Sequence, residues 1–174
     1  MARESEFTIR PGRREDAAEA ARLWMQSAAE HASYDPIYAT SENAERIMRR
    51  FLGDLATSGH SFLFVAEKDG RLIGFVSGEL REGSPTFHAR TWASVDDVFV
   101  APGHRSRGAG RALLEEVKRW AGKRGAAGIS LQVAAANRRG REFYRRLGFR
   151  EVSIYEVLEL PAPPARGGES GTSP

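Results

Sequence analysis

A chain of 174 residues, 41% hydrophobic and 28% charged, has the size of one globular domain with an ordinary core. No apolar run approaches the ~20 residues that a membrane span needs, and residues 1–14 are charged where a signal peptide is apolar, so a cytoplasmic protein with no membrane partner is expected. Cysteine is absent, which excludes disulfides, thiolate metal sites and a cysteine acyl-enzyme. The net charge of +3 hides an asymmetry: residues 104–150 carry thirteen Arg/Lys against three acids, a net +10 that leaves −7 for the rest and suits a polyphosphorylated ligand.

Residues 7–10 alternate as a short strand that Pro11-Gly12 stops, and Asp16 then stands as an N-cap for a helix through Ala17, Ala20, Leu23 and Trp24. Pro36 disfavours helix at Asp35, so residues 34–38 read as a connection. A second helix follows from Ser41, with Ile47, Met48, Phe51, Leu52 and Leu55 at helical spacing. Residues 61–67 and 71–80 flank Asp69-Gly70, a strong hairpin signal. Residues 81–90 form a loop and 91–100 a third long strand. The helix over 108–123 buries Leu113, Leu114, Val117 and Trp120, and the strand 129–133 beyond it should run parallel to its predecessor. Asn137 opens the last helix, residues 150–160 read as a closing strand, and residues 161–174, rich in Pro, Gly and Ser, as a disordered tail after a single domain over 1–160.

The stretch from Val98 to Leu114 is a strand, a tight polar turn and a helix that begins inside a glycine-rich loop. Gly108 and Gly110 lack a Cβ, so backbone N–H groups can approach an anion closely, and the first turn of the helix adds its own unpaired N–H groups. The dinucleotide fingerprint and the nucleoside-triphosphate loop are both missing; the spacing is Arg105-x-x-Gly108-x-Gly110. This resembles the acyl-CoA pyrophosphate loop of the GNAT superfamily of N-acetyltransferases. The run from Asn137 to Phe149, an Asn opening a helix that ends Phe143-Tyr144-x-x-x-Gly148-Phe149, is similar to the same family's C-terminal motif. Ser106 and Gly140 depart from the commoner Gly and Ala.

The resemblance implies an α/β (α+β) fold: a mixed, mostly antiparallel sheet flanked by helices, with two central parallel strands that splay to admit pantetheine. It implies acetyl-CoA as cosubstrate and no metal. The backbone of Val98, Phe99 and Val100 would line the pantetheine, Arg105, Ser106, Arg107, Gly108, Ala109, Gly110 and Arg111 would hold the pyrophosphate, and Asn137 would touch the cofactor or cap its helix. Tyr144 matches the family's catalytic acid; it lies seven residues, about two turns, beyond Asn137 and so on nearly the same face. Its alternative role is an aromatic of the core. By strand alternation Asp96 shares a side with Val98 and Val100 and is the candidate base, the alternative being a carboxylate paired with an arginine; Asp97 then points the other way and is structural.

Acetyl transfer from a thioester to an amine needs a base for the amine, donors for the oxyanion and an acid for the thiolate. The acceptor, an amine of a small molecule or a peptide, would meet residues of the first helix pair and of the loop before the third long strand: Glu30, His31, Tyr34, Tyr38, Phe87 and His88. A binding module without turnover is the alternative function. A nucleic-acid partner is not expected, since no aromatics interleave with the arginines to stack bases. A homodimer paired through the closing strand is left open.

Overall fold

The structure, a computed structural model, describes residues 6–86 and 90–160, so Phe87, His88 and the tail over 161–174 lie outside the described residues. Five strands form one sheet in sequence order: β1 (Thr8–Pro11), β2 (Ser61–Lys68), β3 (Arg71–Glu82), β4 (Thr91–Val100) and β5 (Gly128–Leu131). The first four are antiparallel and β5 is parallel to β4, as its crossover helix requires. The β2–β3 turn puts Asp69 and Gly70 at φ 51° and 73°, the left-handed pair that such two-residue hairpins use.

Helices lie on both sides, so β2 alternates between two cores rather than between core and solvent. Phe62, Phe64 and Ala66 meet Leu113, Val117 and Ala121 of α3 (Ala109–Lys123) on one side. On the other, Leu63 and Val65 meet Ala20 and Leu23 of α1 (Ala17–Ala32) and Leu52 and Leu55 of α2 (Ala44–Leu55). The last helix, α4 (Arg138–Arg146), adds Phe143 and Tyr144 to the rim of the α3-side core.

The structure departs from the sequence reading in several places; α2, for one, begins at Ala44 rather than at Ser41. Asp16 precedes α1 but makes no cap bond; its carboxylate accepts from Arg10 at 2.7 and 2.9 Å and from the Arg13 N–H. The strand after α3 ends at Leu131, two residues short of expectation. Residues 151–160 form no strand, and Ile154 and Leu158 stand 90% and 86% exposed. The adjacent apolar pairs Ile154-Tyr155 and Val157-Leu158 give that segment no single apolar face, and only four residues of β5 are available at the edge it would join.

Candidate active site

The site begins where β5 leaves β4. The parallel pairing runs from Trp92 opposite Gly128 to Val95 opposite Leu131 and goes no further, whereas the pairing of β4 with β3 continues to Val100. From Asp96 to Val100, β4 therefore has one open edge. The Ala101 N–H donates to the Ile73 carbonyl across β3 at 2.9 Å, so by alternation the N–H and C=O of Val98 and Val100 point away from β3 into the opening. Such an edge can bond an extended, amide-bearing chain as a sixth strand would.

A bulge opens this edge. Ser77 pairs with Asp97 and Gly78 with Val95, which leaves Asp96 without a partner residue. Ala93 and Val95 accordingly pack in the same α3-side core as Val98 and Val100, although their numbers differ in parity. The alternation argument for Asp96 therefore fails at the residue it was meant to place. The Asp96 side chain, 22% exposed, accepts from Arg81 at 2.9 Å. Burial, with Asp97 and Glu79 nearby, holds its pKa above the ordinary carboxylate value, and Arg81 opposes them. Asp97 turns to the α1 side, where its oxygens accept from Trp24 Nε1 at 2.8 Å and Ser77 Oγ at 3.1 Å; burial raises its pKa against those bonds.

The glycine loop follows directly. Gly108 caps α3 with φ +93°, a conformation open to glycine and strained for other residues. Ser106 takes the left-handed region at φ +62°, which explains why glycine would be the easier residue there. Ala109 is buried beneath the loop and Arg111 lies on the first turn of α3. Arg105 and Arg107 each have a carboxylate partner. Arg105 Nη2 donates to Glu30 at 2.6 Å and its Nε to the Val100 carbonyl at 2.7 Å, with the guanidinium over the Phe99 ring. Arg107 pairs with Glu6 at 2.9 Å.

Helix α4 is tied to this loop. Asn137 Oδ1 accepts from the Gly140 N–H at 2.8 Å as an N-cap, and a Cβ at Gly140 would fall 2.6 Å from Asn137 Nδ2. The departure from Ala therefore makes room for the cap. A Cβ at Gly110 would lie 3.3 Å from the Phe143 ring, so α4 packs closely on the start of α3. Arg139 Nη2 donates to Ser106 Oγ at 3.4 Å. Arg139 carries no signal in the sequence, because one arginine among the eleven of residues 104–150 has no distinguishing spacing. Tyr144 sits on the same helix between Phe143 and Phe149, and burial pushes its hydroxyl up to about 12. It is protonated at neutral pH.

Of the acceptor candidates, His31 is fixed by donation of Nδ1–H to the Ser27 carbonyl at 2.8 Å and meets Tyr34 and Tyr38 edge-on, each with ring centres 5.6 Å apart. Glu30 is engaged by Arg105. Among the described residues no cluster of His, Asp or Glu could hold a metal ion, and no helix is long and apolar enough to cross a membrane.

The splayed sheet, the glycine loop at a helix start and the capped helix behind it define an acyltransferase of the acyl-CoA-dependent kind. Residues 19–149 match the model of the acetyltransferase (GNAT) family. The chain is 30% identical over 161 residues to YhfO of Bacillus subtilis, described as an uncharacterised N-acetyltransferase, covering 90% of this chain and 99% of that one. It is 26% identical over 106 residues to the type 1 aminoglycoside N(6')-acetyltransferase of Salmonella typhimurium, covering 57% of this chain and 69% of that one. In fold it is similar to aminoglycoside N-acetyltransferase AAC(6')-Iy, solved in complex with CoA, with a TM-score of 0.69 at 20% identity over 93% of this chain and 99% of that one. The chain belongs to the GNAT family and is an acetyl-CoA-dependent N-acetyltransferase.

Proposed function

We propose that this protein transfers the acetyl group of acetyl-CoA directly to a primary amine of a small molecule or peptide, with Asp96 as general base and Tyr144 as general acid. The observation that carries the reading is the open edge of β4 from Asp96 to Val100, which leads into the glycine loop, with Val98, Val100 and the protonated Tyr144 of α4 packed against the same core. The residues fit acetyl-CoA. The Val98 N–H and C=O and the Val100 N–H are the groups for the pantetheine amides, while the Val100 carbonyl is already taken by Arg105. The N–H groups of the loop and of the first turn of α3 hold the pyrophosphate, with Ser106 and Arg139 beside them. Arg105 acts by clamping the end of β4 to Glu30 rather than by meeting the phosphate.

Acetyl-CoA supplies an activated thioester; the chain supplies the proton transfers. Asp96, with a pKa held above that of an ordinary carboxylate, accepts the proton of the amine either directly or through a water. Tyr144 keeps its proton until a thiolate, of ordinary pKa ~8.5, needs it. A cytoplasmic setting, where acetyl-CoA is available, and a homodimer that covers the exposed apolar residues of 152–160 are part of the same proposal.

Thiol release from acetyl-CoA across a panel of amines, with wild type beside Tyr144→Phe and Asp96→Asn, tests the reading. Turnover of at least one amine, lost in both variants while CoA affinity holds, is the expected result. CoA binding without turnover of any amine would favour a binding module.

A further inference from the structure

The arginines around the glycine loop are not equally free. Arg105 is held by Glu30 and by the Val100 carbonyl, and Arg107 by Glu6. Farther along α4, Arg141 pairs with Glu151, and Arg145 and Arg146 pair with Glu142. Arg111, Arg138 and Arg139 differ: among the described residues none of them forms an ion pair with a carboxylate. They stand on the first turns of α3 and α4, and neither turn contains an acid.

That placement costs stability in the free protein. A cation at a helix N-terminus meets the positive end of the dipole, and here two helix starts adjoin, with Phe143 packed on Gly110. Local rules of this kind are broken chiefly where function requires it. Of the three arginines, Arg139 is the one tied to the loop: its Nη2 donates to Ser106 Oγ at 3.4 Å. The Asn137 cap, made possible by Gly140, fixes the turn that carries it. Ser106 belongs to the loop whose N–H groups are the proposed seat of the pyrophosphate, and a guanidinium offers phosphate oxygens two parallel donors.

We infer, on the basis of the loop as the seat of the pyrophosphate, that Arg139 is a cofactor-binding residue: it supplies the phosphate-paired guanidinium that Arg105 and Arg107, engaged by Glu30 and Glu6, do not. The test is calorimetric titration of the full chain with CoA and with dephospho-CoA, which lacks the ribose phosphate, for wild type, Arg139→Gln, Arg107→Gln and Gly108→Ala, together with thermal unfolding of each protein without ligand. Arg139→Gln should weaken both ligands alike by roughly tenfold or more, as loss of a hydrogen bond between charged groups does. It should leave the melting temperature of the free protein unchanged or slightly raised, because a positive charge leaves a helix N-terminus. The inference is overturned if the loss is confined to CoA, if Arg107→Gln loses more affinity than Arg139→Gln, or if the melting temperature of free Arg139→Gln falls along with its affinity, as it would for a side chain that only ties α4 to the loop. Affinity lost in Gly108→Ala but kept in Arg139→Gln would overturn the inference alone; affinity kept in both would also sink the loop as the seat of the pyrophosphate.

Discussion

The two sides of the opening in the sheet differ in how they are built. The side proposed for the cofactor, from Val98 through the loop to α4, is made of backbone: an open strand edge, a helix start, a glycine at φ +93° and an Asn cap. The side proposed for the acceptor, α1 and α2 around Trp24, is made of side chains on regular helices. A ligand grasped by main-chain groups imposes constraints that few residues satisfy, so that side can be altered at single positions with large effect. A ligand met by side chains on a regular helix leaves the fold indifferent to its recognition, and changes there should redirect preference rather than abolish activity.

Tyr144→Phe should break the cofactor side most severely, because it keeps the ring among Phe143 and Phe149 and removes the proton. A fall in kcat of roughly 10²–10⁴ with unchanged CoA affinity is expected, measured by steady-state kinetics and calorimetry. Gly108→Ala comes next. A Cβ at φ +93° is strained by about 1–2 kcal/mol and stands where phosphate would approach, so both CoA affinity and denaturant stability should fall.

On the acceptor side of the bulge, the pH dependence of kcat/KM sharpens the role of Asp96. The carboxylate must be ionised to act as base, so activity falls as pH drops through its pKa, which lies above the ordinary carboxylate value. Arg81 holds that pKa down; Arg81→Ala should therefore move the acid limb to higher pH, and Asp96→Asn should abolish the limb with most of the rate. The smallest effect is expected at Ser106. Ser106→Gly relieves a left-handed serine and should raise stability by up to about 1 kcal/mol in urea unfolding, less glycine's extra chain entropy.

The same division explains what could be read from the sequence. The Asp69-Gly70 hairpin, the crossover to a parallel β5 and the loop at Gly108 were legible because each rests on local backbone chemistry. The bulge at Asp96 was not, since it arises from the pairing of β4 with β3 and leaves no mark in the composition of either; one extra residue there undoes any argument from alternation. The partners of Arg105 and Arg107 were hidden for a similar reason. Glu30 and Glu6 lie 75 and 101 residues away, and only the fold brings them to the loop. Arg139 was obscured by the many arginines around it.

Amide hydrogen exchange at Val98, Phe99 and Val100, followed by NMR with and without CoA, tests most directly whether the open edge of β4 is the cofactor's seat. The N–H groups of Val98 and Val100 face the opening, while that of Phe99 faces β3. Added CoA should slow exchange at Val98 and Val100 by at least roughly tenfold and leave Phe99 unchanged. CoA that binds without protecting either valine amide would contradict the account.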